Sequence, residues 1–155
     1  MKAALLVATV VTAGVLAALL ALGYPLVRDV DALLDRAQVA ADREDMLAYL
    51  LALQHNLEAR GMTSGHFALL FKTPANDLGL HYRTLGRIIE RLDSIRELPK
   101  HETAYQVALD DIRGTIRELP NPAEPYLWTQ YWWLYLLGLG VWLWPTAVFV
   151  REMAG

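Results

Sequence analysis

Two uncharged stretches decide the fold: residues 3–27, AALLVATVVTAGVLAALLALGYPLV, and residues 125–150, PYLWTQYWWLYLLGLGVWLWPTAVFV. Neither contains Asp, Glu, Lys, Arg or His. A helix rises about 1.5 Å per residue, so each stretch can cross a hydrocarbon core about 30 Å thick with some tilt. A helix also satisfies its own backbone hydrogen bonds in lipid. The sequence therefore predicts an all-α membrane protein with two transmembrane helices flanking an extramembrane helical hairpin or three-helix bundle.

We expect five segments along the chain. They are a first transmembrane helix at 1–25, an extramembrane helical domain at 26–119, a proline-rich, non-helical link at 120–125, a second transmembrane helix at 126–150 and a short tail at 151–155.

Apolar residues in the domain recur every three or four positions, which is typical of amphipathic helices. They predict one continuous helix from Leu26 to about Arg60, ended by Gly61. A second helix is capped by Asn76 or Asp77, and Pro99 separates it from a third. This arrangement places the irregular segment 61–76 at the end of the hairpin farthest from the membrane.

Charge is concentrated between the two uncharged stretches. Residues 28–124 hold 12 of the 14 Lys and Arg residues and 16 of the 17 Asp and Glu residues, so their net charge is −4. A mildly acidic surface argues against nucleic acid, which binds to basic patches. The absence of cysteine excludes disulfides and thiolate metal sites.

The second apolar helix carries the strongest local signature, because it is rich in Trp and Tyr. Such rings prefer the headgroup zone, where one polar atom stays hydrated, so one interpretation is an ordinary interfacial belt. The other is contact with a partner protein, lipid, a pigment or a quinone-like molecule. The candidate contact residues are Trp128, Trp132, Trp133, Tyr135, Trp142 and Trp144.

Three further groups are candidates for contacts. Small residues in the first apolar helix favour close helix packing, since small-xxx-small spacing lets backbones approach in lipid. An arginine stripe on the second domain helix is either a solvated face or a docking surface for an acidic partner. In the 61–76 loop, two rings are expected to fold back or to enter a partner. These residues are Ala13, Gly14, Ala17, Ala18, Ala21, Arg83, Arg87, Arg91, Phe67 and Phe71.

No residue pattern indicates catalysis, a metal site or a cofactor belonging to the chain itself. The four histidines lie at 55, 66, 81 and 101, outside both apolar stretches, and no HExxH or H-x-x-x-H spacing occurs. Ser64 and His66 lack the strand–turn–helix setting of a nucleophile.

We therefore expect a non-enzymatic accessory or structural subunit of a larger membrane complex, such as a bioenergetic or photosynthetic assembly. Its partners would be other membrane subunits and the lipid bilayer. The alternative is a membrane-anchored sensor or adaptor whose helical domain binds a ligand or a protein. In its order of segments the chain resembles the input half of bacterial receptors with four-helix-bundle sensor domains, although this domain is shorter.

The short N-terminus bearing Lys2 resembles a signal anchor. It favours both tails in the cytoplasm and the domain on the other side, in what we expect to be a bacterial or archaeal inner membrane. Arginines near the span ends on the domain side, such as Arg28 and Arg117, favour the reverse orientation. In the first orientation, a Lys100→Cys variant should react with an impermeant maleimide in intact cells, because the chain has no other cysteine. Reaction only after lysis would reverse the orientation.

Overall fold

The structure is a computed structural model and describes residues 2–154. Met1 and Gly155, the outermost residues of the first predicted segment and of the predicted tail, lie outside the described residues. Within 2–154 the chain forms α-helices and no β-strand. The helices are α1 (Lys2–Leu26), α2 (Ala32–Val39), α3 (Arg43–Ala59), α4 (Leu78–Ser94), α5 (Thr103–Arg117), α6 (Ala123–Gln130), α7 (Trp132–Gly140) and α8 (Leu143–Ala154).

Helix α1 continues into α2 through a π-helical turn at Val27–Asp31. The turn ends where the Ala32 N–H donates to the Val27 carbonyl, five residues back. Pro25, which has no N–H to donate, lies just before this turn and inside α1. The first apolar helix and the first helix of the domain are therefore one uninterrupted rod.

The continuous helix predicted from Leu26 to Arg60 is wrong, because the chain reverses at Ala40–Asp42. Ala40 leaves the helix with ψ 134°. Asp42 has an extended backbone, and its side chain accepts a 2.9 Å hydrogen bond from the Asp45 N–H. This is an N-cap, which satisfies a donor at the start of α3. No Gly or Pro marks the break, so apolar periodicity alone does not reveal it.

Helices α2–α5 of the described chain form an antiparallel four-helix bundle in place of the expected hairpin or three-helix bundle. At the end far from α1, the Arg43 guanidinium lies 3.5 Å from the Leu92 carbonyl, and the Arg43 N–H donates to Tyr105. At the opposite end, which we call the apolar end, Asn56 donates to the Asp29 carbonyl. Helix α3 therefore returns to the place where α1 enters the domain.

The bundle core consists of aliphatic side chains from all four helices. At the apolar end, residues where the chain enters and leaves the domain also belong to this core. Their burial removes apolar surface from water, which is the main term that stabilises a small domain. The fully buried members include Leu34, Met46, Leu50, Leu53, Leu57, Leu85, Leu92, Leu109, Ile112 and Ile116.

Three predicted boundaries of the domain helices are confirmed. Gly61 has φ +69° directly after α3, and the Met62 N–H reaches back 2.8 Å to the Leu57 carbonyl. Asp77 caps α4 by accepting from the Leu80 N–H at 3.0 Å. Pro99 lies between α4 and α5.

The second apolar segment is three helices and not one. Its first helix begins at Ala123, so the link predicted to be non-helical through residue 125 is shorter than expected. Pro125 lies in the first turn of α6, where a missing N–H leaves no helical bond unmade. Short breaks follow at Tyr131 and at Val141–Trp142.

Because Asp42 caps α3, Asp42→Ala should lower the free energy of unfolding by about 1 kcal/mol. Asp42→Asn should leave it nearly unchanged, since an amide oxygen caps as well as a carboxylate. Denaturant unfolding of the full chain in detergent, followed by circular dichroism, measures both. Asp35→Ala, an exposed acid on α2, is the matched control, and an equal loss in that variant would rule out the cap as the cause.

Candidate functional site

The two apolar helical segments pack side by side along a narrow seam. Ala8 of α1 is fully buried and Val15 nearly so, and on the second segment Leu134 is buried where α1 and α7 meet. A Cβ at Gly138 would lie 3.4 Å from the Val15 side chain, so glycine permits the close approach. One polar contact crosses the seam, a 2.9 Å hydrogen bond from Trp142 Nε1–H to Thr12 Oγ1.

An apolar groove of about 430 Å³ runs beside this seam. Trp128 and Tyr135 form one wall, with ring centroids 3.9 Å apart and planes 11° from parallel. Leu16 and Leu19 of α1 form the other. A groove of this shape holds an acyl chain or a flat ring, and it offers few polar groups for specificity.

Other aromatic candidates face away from the chain. Trp132, Trp133 and Trp144 are about half exposed or more. They lie on α7 and α8, so large rings are presented around much of the segment. Whether a partner covers them stays a prediction.

The small-residue stripe of α1 is not used in the packing within the chain. Ala13, Gly14, Ala17 and Ala21 are exposed and Ala18 is half-buried, whereas the seam is formed by Ala4, Ala8 and Val15. Gly14 has no other part of the chain within 4 Å of a Cβ placed on it. Close packing along this stripe therefore stays a prediction for contact with another polypeptide.

The arginine stripe of α4 is exposed along its whole length. Arg83, Arg87 and Arg91 point to solvent, and Arg91 pairs with Asp111 of α5 at 2.5 Å. Exposed pairs of this kind contribute little to stability. The pair does reduce the positive charge that an acidic partner would meet at that end of the stripe.

The loop between α3 and α4 lies at the apolar end of the bundle, which corrects its predicted place at the far end. The reversal at Ala40–Asp42 causes the difference, because it turns α3 back toward α1. Arg60, at the start of the loop, donates to the Pro25 carbonyl at 3.3 Å and pairs with Asp29. Phe67 is buried in the domain core, and Phe71 is 79% exposed.

The burial of two polar side chains, Arg43 and His81, was not predicted from the sequence. His81 of α4 is buried, and its Nδ1 has no hydrogen-bond partner among the described residues. It lines a cleft of about 300 Å³ with Pro74 and Thr84, near Leu119. Helical spacing could have placed His81 on the core face with Leu78 and Leu85, but nothing in the sequence shows that it lacks a partner.

No group of three or more metal-ligating side chains comes together within residues 2–154. In comparisons with known proteins, no family model, no curated protein and no solved structure matches the chain. The proposal for its function therefore rests on its surfaces: two apolar helical segments, an aromatic groove and a loop at the apolar end.

Burial lowers the pKa of His81 below its usual 6.5, so the folded chain keeps the imidazole neutral. Below about pH 6.5 the unfolded chain binds a proton at this position more readily than the folded chain does. The free energy of unfolding therefore decreases as the pH is lowered. The loss cannot exceed about 1.4 kcal/mol per pH unit for one proton. His81→Leu should flatten the dependence of the unfolding midpoint on pH between about 7 and 5.

His101→Leu serves as the control, because His101 is exposed in the turn before α5. An equal flattening of the pH dependence in that variant would show that the effect does not come from the buried imidazole of His81. An unchanged slope in His81→Leu would show that another group titrates in this range.

Proposed function

We propose that α1 and the α6–α8 segment cross a lipid bilayer and that the four-helix bundle stands outside it as one domain. The supporting observation is the exposure of both segments. Each is long and apolar enough to span, yet only 11% of the apolar window in each is buried within the chain. Side chains of this kind need an apolar surrounding, which lipid or other membrane helices supply.

Within that membrane setting, we propose that the chain is a non-catalytic accessory subunit of a larger complex. In lipid, helices associate through packing and not through the hydrophobic effect, so small residues and large anchors matter most. The chain presents both, since the Ala13–Ala21 stripe and the rings of Trp132, Trp133 and Trp144 are unused within it. The small-residue stripe suits close contact with the backbone of another helix, and the Trp rings suit insertion into pockets of a partner.

The domain is proposed to face away from the cytoplasm, in a bacterial or archaeal inner membrane. The support is the short N-terminus bearing Lys2, which resembles a signal anchor, together with Arg151 after the second apolar segment. No reaction is assigned to the chain in this proposal, and the groove beside Trp128 would hold lipid or a flat apolar cofactor of a neighbouring subunit.

A sensor or adaptor is the second candidate, and two observations favour it. The rod formed by α1 and α2 passes without a break from the apolar segment into the bundle, so a shift of the domain would move the apolar helix. The cleft beside His81 is large enough for a small molecule.

Purification in a gentle detergent separates the two candidates. An accessory subunit should migrate with a large complex in fixed stoichiometry, whereas a sensor should run as a dimer or alone. A lone species from native membranes, at native expression, would contradict the subunit proposal.

Outward rings should hold the chain in its complex, so Trp132→Ala and Trp144→Ala should each weaken assembly. Truncating a buried aromatic anchor costs about 2 kcal/mol or more, which is about thirtyfold in affinity. The measurement is the amount of variant recovered with the complex relative to the total inserted in the membrane. Leu143→Ala, an exposed aliphatic residue between them in sequence, is the matched control.

Membrane insertion should be unaffected in all three variants, because the segment stays apolar. Recovery of both Trp variants at the level of the unmodified chain would show that the rings form only an interfacial belt.

A further inference from the structure

The loop between α3 and α4 combines an apolar tip with a position beside the second apolar segment. Three consecutive side chains at the tip are exposed: Leu69 at 56%, Leu70 at 84% and Phe71 at 79%. The exposed apolar residues on the bundle helices, such as Val39 and Val107, are isolated along the chain, whereas these three are consecutive. An exposed run of large apolar side chains marks a contact surface.

Two contacts give the position of the tip along the axis of the apolar helices. Leu69, together with Phe67, lines a cleft whose other wall contains Pro125 and Trp128. A Cβ at Gly23 would lie 3.3 Å from Leu127 Cδ2, so this turn of α6 is level with Gly23. Gly23 lies inside the uncharged stretch that ends at residue 27. Leu69 therefore lies beside the start of the second uncharged stretch, next to Glu124, the last charged residue before that stretch.

Backbone and side-chain hydrogen bonds brace the loop. Asn76 donates from Nδ2 to the Phe71 carbonyl at 2.7 Å and accepts from the Thr73 N–H at 3.0 Å. At the base, the Phe67 N–H donates to the Asn76 carbonyl, and the Leu78 N–H donates to the Gly65 carbonyl. The tip is thus held in place and is not a slack connection.

Phe67 adds a hydrophobic anchor to this bracing. Its side chain is buried in the domain core, while Phe71, four residues on, points outward. Lys72 follows the apolar tip directly and is exposed. An apolar tip bordered by a lysine is the pattern of interfacial insertion, in which the stem lies along the acyl boundary and the ammonium reaches the phosphates.

We propose that Leu69, Leu70 and Phe71 insert into the boundary between headgroups and acyl chains of the bilayer that α1 and α6–α8 span. The proposal rests on the membrane insertion proposed above. Continuity with the apolar segments favours lipid as the occupant, since the tip sits against α6 at the height of its first tryptophan. Two spanning segments and one inserted loop make three attachment points, which fix the tilt of the bundle on the membrane.

Nitroxide labels on single cysteines test the depth of the tip, because the chain has no cysteine of its own. The labelled variants are Leu70→Cys and Phe71→Cys, in full-length protein in nanodiscs of phosphatidylcholine and phosphatidylglycerol. Leu16→Cys, on the exposed face of α1, reports the bilayer interior. Val39→Cys, exposed at the end of α2 and about 18 Å beyond residue 27 along the rod, reports water.

The readout is the collision rate of each label with oxygen, which enriches in lipid, relative to a water-soluble nickel chelate. At positions 70 and 71 this ratio should rise well above the value at 39 and approach the value at 16. A ratio at 70 and 71 equal to that at 39, with a lipid-like value at 16, would overturn the loop proposal and leave the spanning helices standing. A water-like value at 16 would overturn the proposed membrane insertion itself.

A label at 70 that is immobilised and shielded from both reagents would show a second copy of the chain covering the tip, which also contradicts the lipid proposal. Lys72→Gln adds a composition test. Raising the share of phosphatidylglycerol should deepen the label at 70 in the presence of Lys72 and have a smaller effect in the variant, since the ammonium is attracted to anionic headgroups.

Discussion

The reversal at Ala40–Asp42 is the constraint on which the rest of the structure depends. It ends α2 after eight residues and sends α3 back along it. The loop after α3 consequently lies beside α1 and α6, and α4 and α5 complete a bundle that returns the chain to the start of the second apolar segment. A straight helix to Arg60 would have carried the same loop to the far end of the domain, away from both apolar segments.

Polar contacts fasten the bundle where it meets the apolar helices. Asp29 accepts from both Arg28 and Arg60, and Arg60 also reaches the Pro25 carbonyl. The Asp29 side chain is 18% exposed, so these bonds lie partly out of water and are screened less than surface pairs. Their position just past residue 27 marks the border between the charged domain and the uncharged segments. The joint is therefore stiff at the place where the two regions meet.

Local chemistry made some elements predictable and left others hidden. Gly61, Asp77 and Pro99 each leave a residue-level signal, because a positive φ, a cap and a missing N–H depend on one position. At Asp42 a cap competes with two good helix formers, Ala40 and Ala41, and no Gly or Pro favours the break, so tertiary packing of α3 decides it.

The sequence shows which residue types form the candidate surfaces, but it does not show which of these residues lie next to one another. Sequence shows that Trp128 and Leu69 are apolar, yet their closeness follows from the reversal at Asp42, which lies 86 residues before Trp128 and 27 before Leu69. The same applies to α1, where two stripes of small residues compete, and only packing shows that Ala4 and Ala8 form the inner one. For both surfaces, contact with a partner cannot be read from one chain alone.

The π-turn at Val27–Asp31 sets the rotation of α2 about the rod axis relative to α1. A residue added to a helix rotates everything after it by roughly 100°, the advance of one position at 3.6 per turn. Because the wider turn at Val27–Asp31 accommodates one extra position, the core residues Leu34 and Ala37 are rotated by roughly 100° relative to the seam residues Ala8 and Val15 from where a straight α-helix would place them. Removing a single residue from this turn would rotate α2 relative to α1, so the contacts that tie the bundle to α1, such as Arg60 with the Pro25 carbonyl, would have to break or shift.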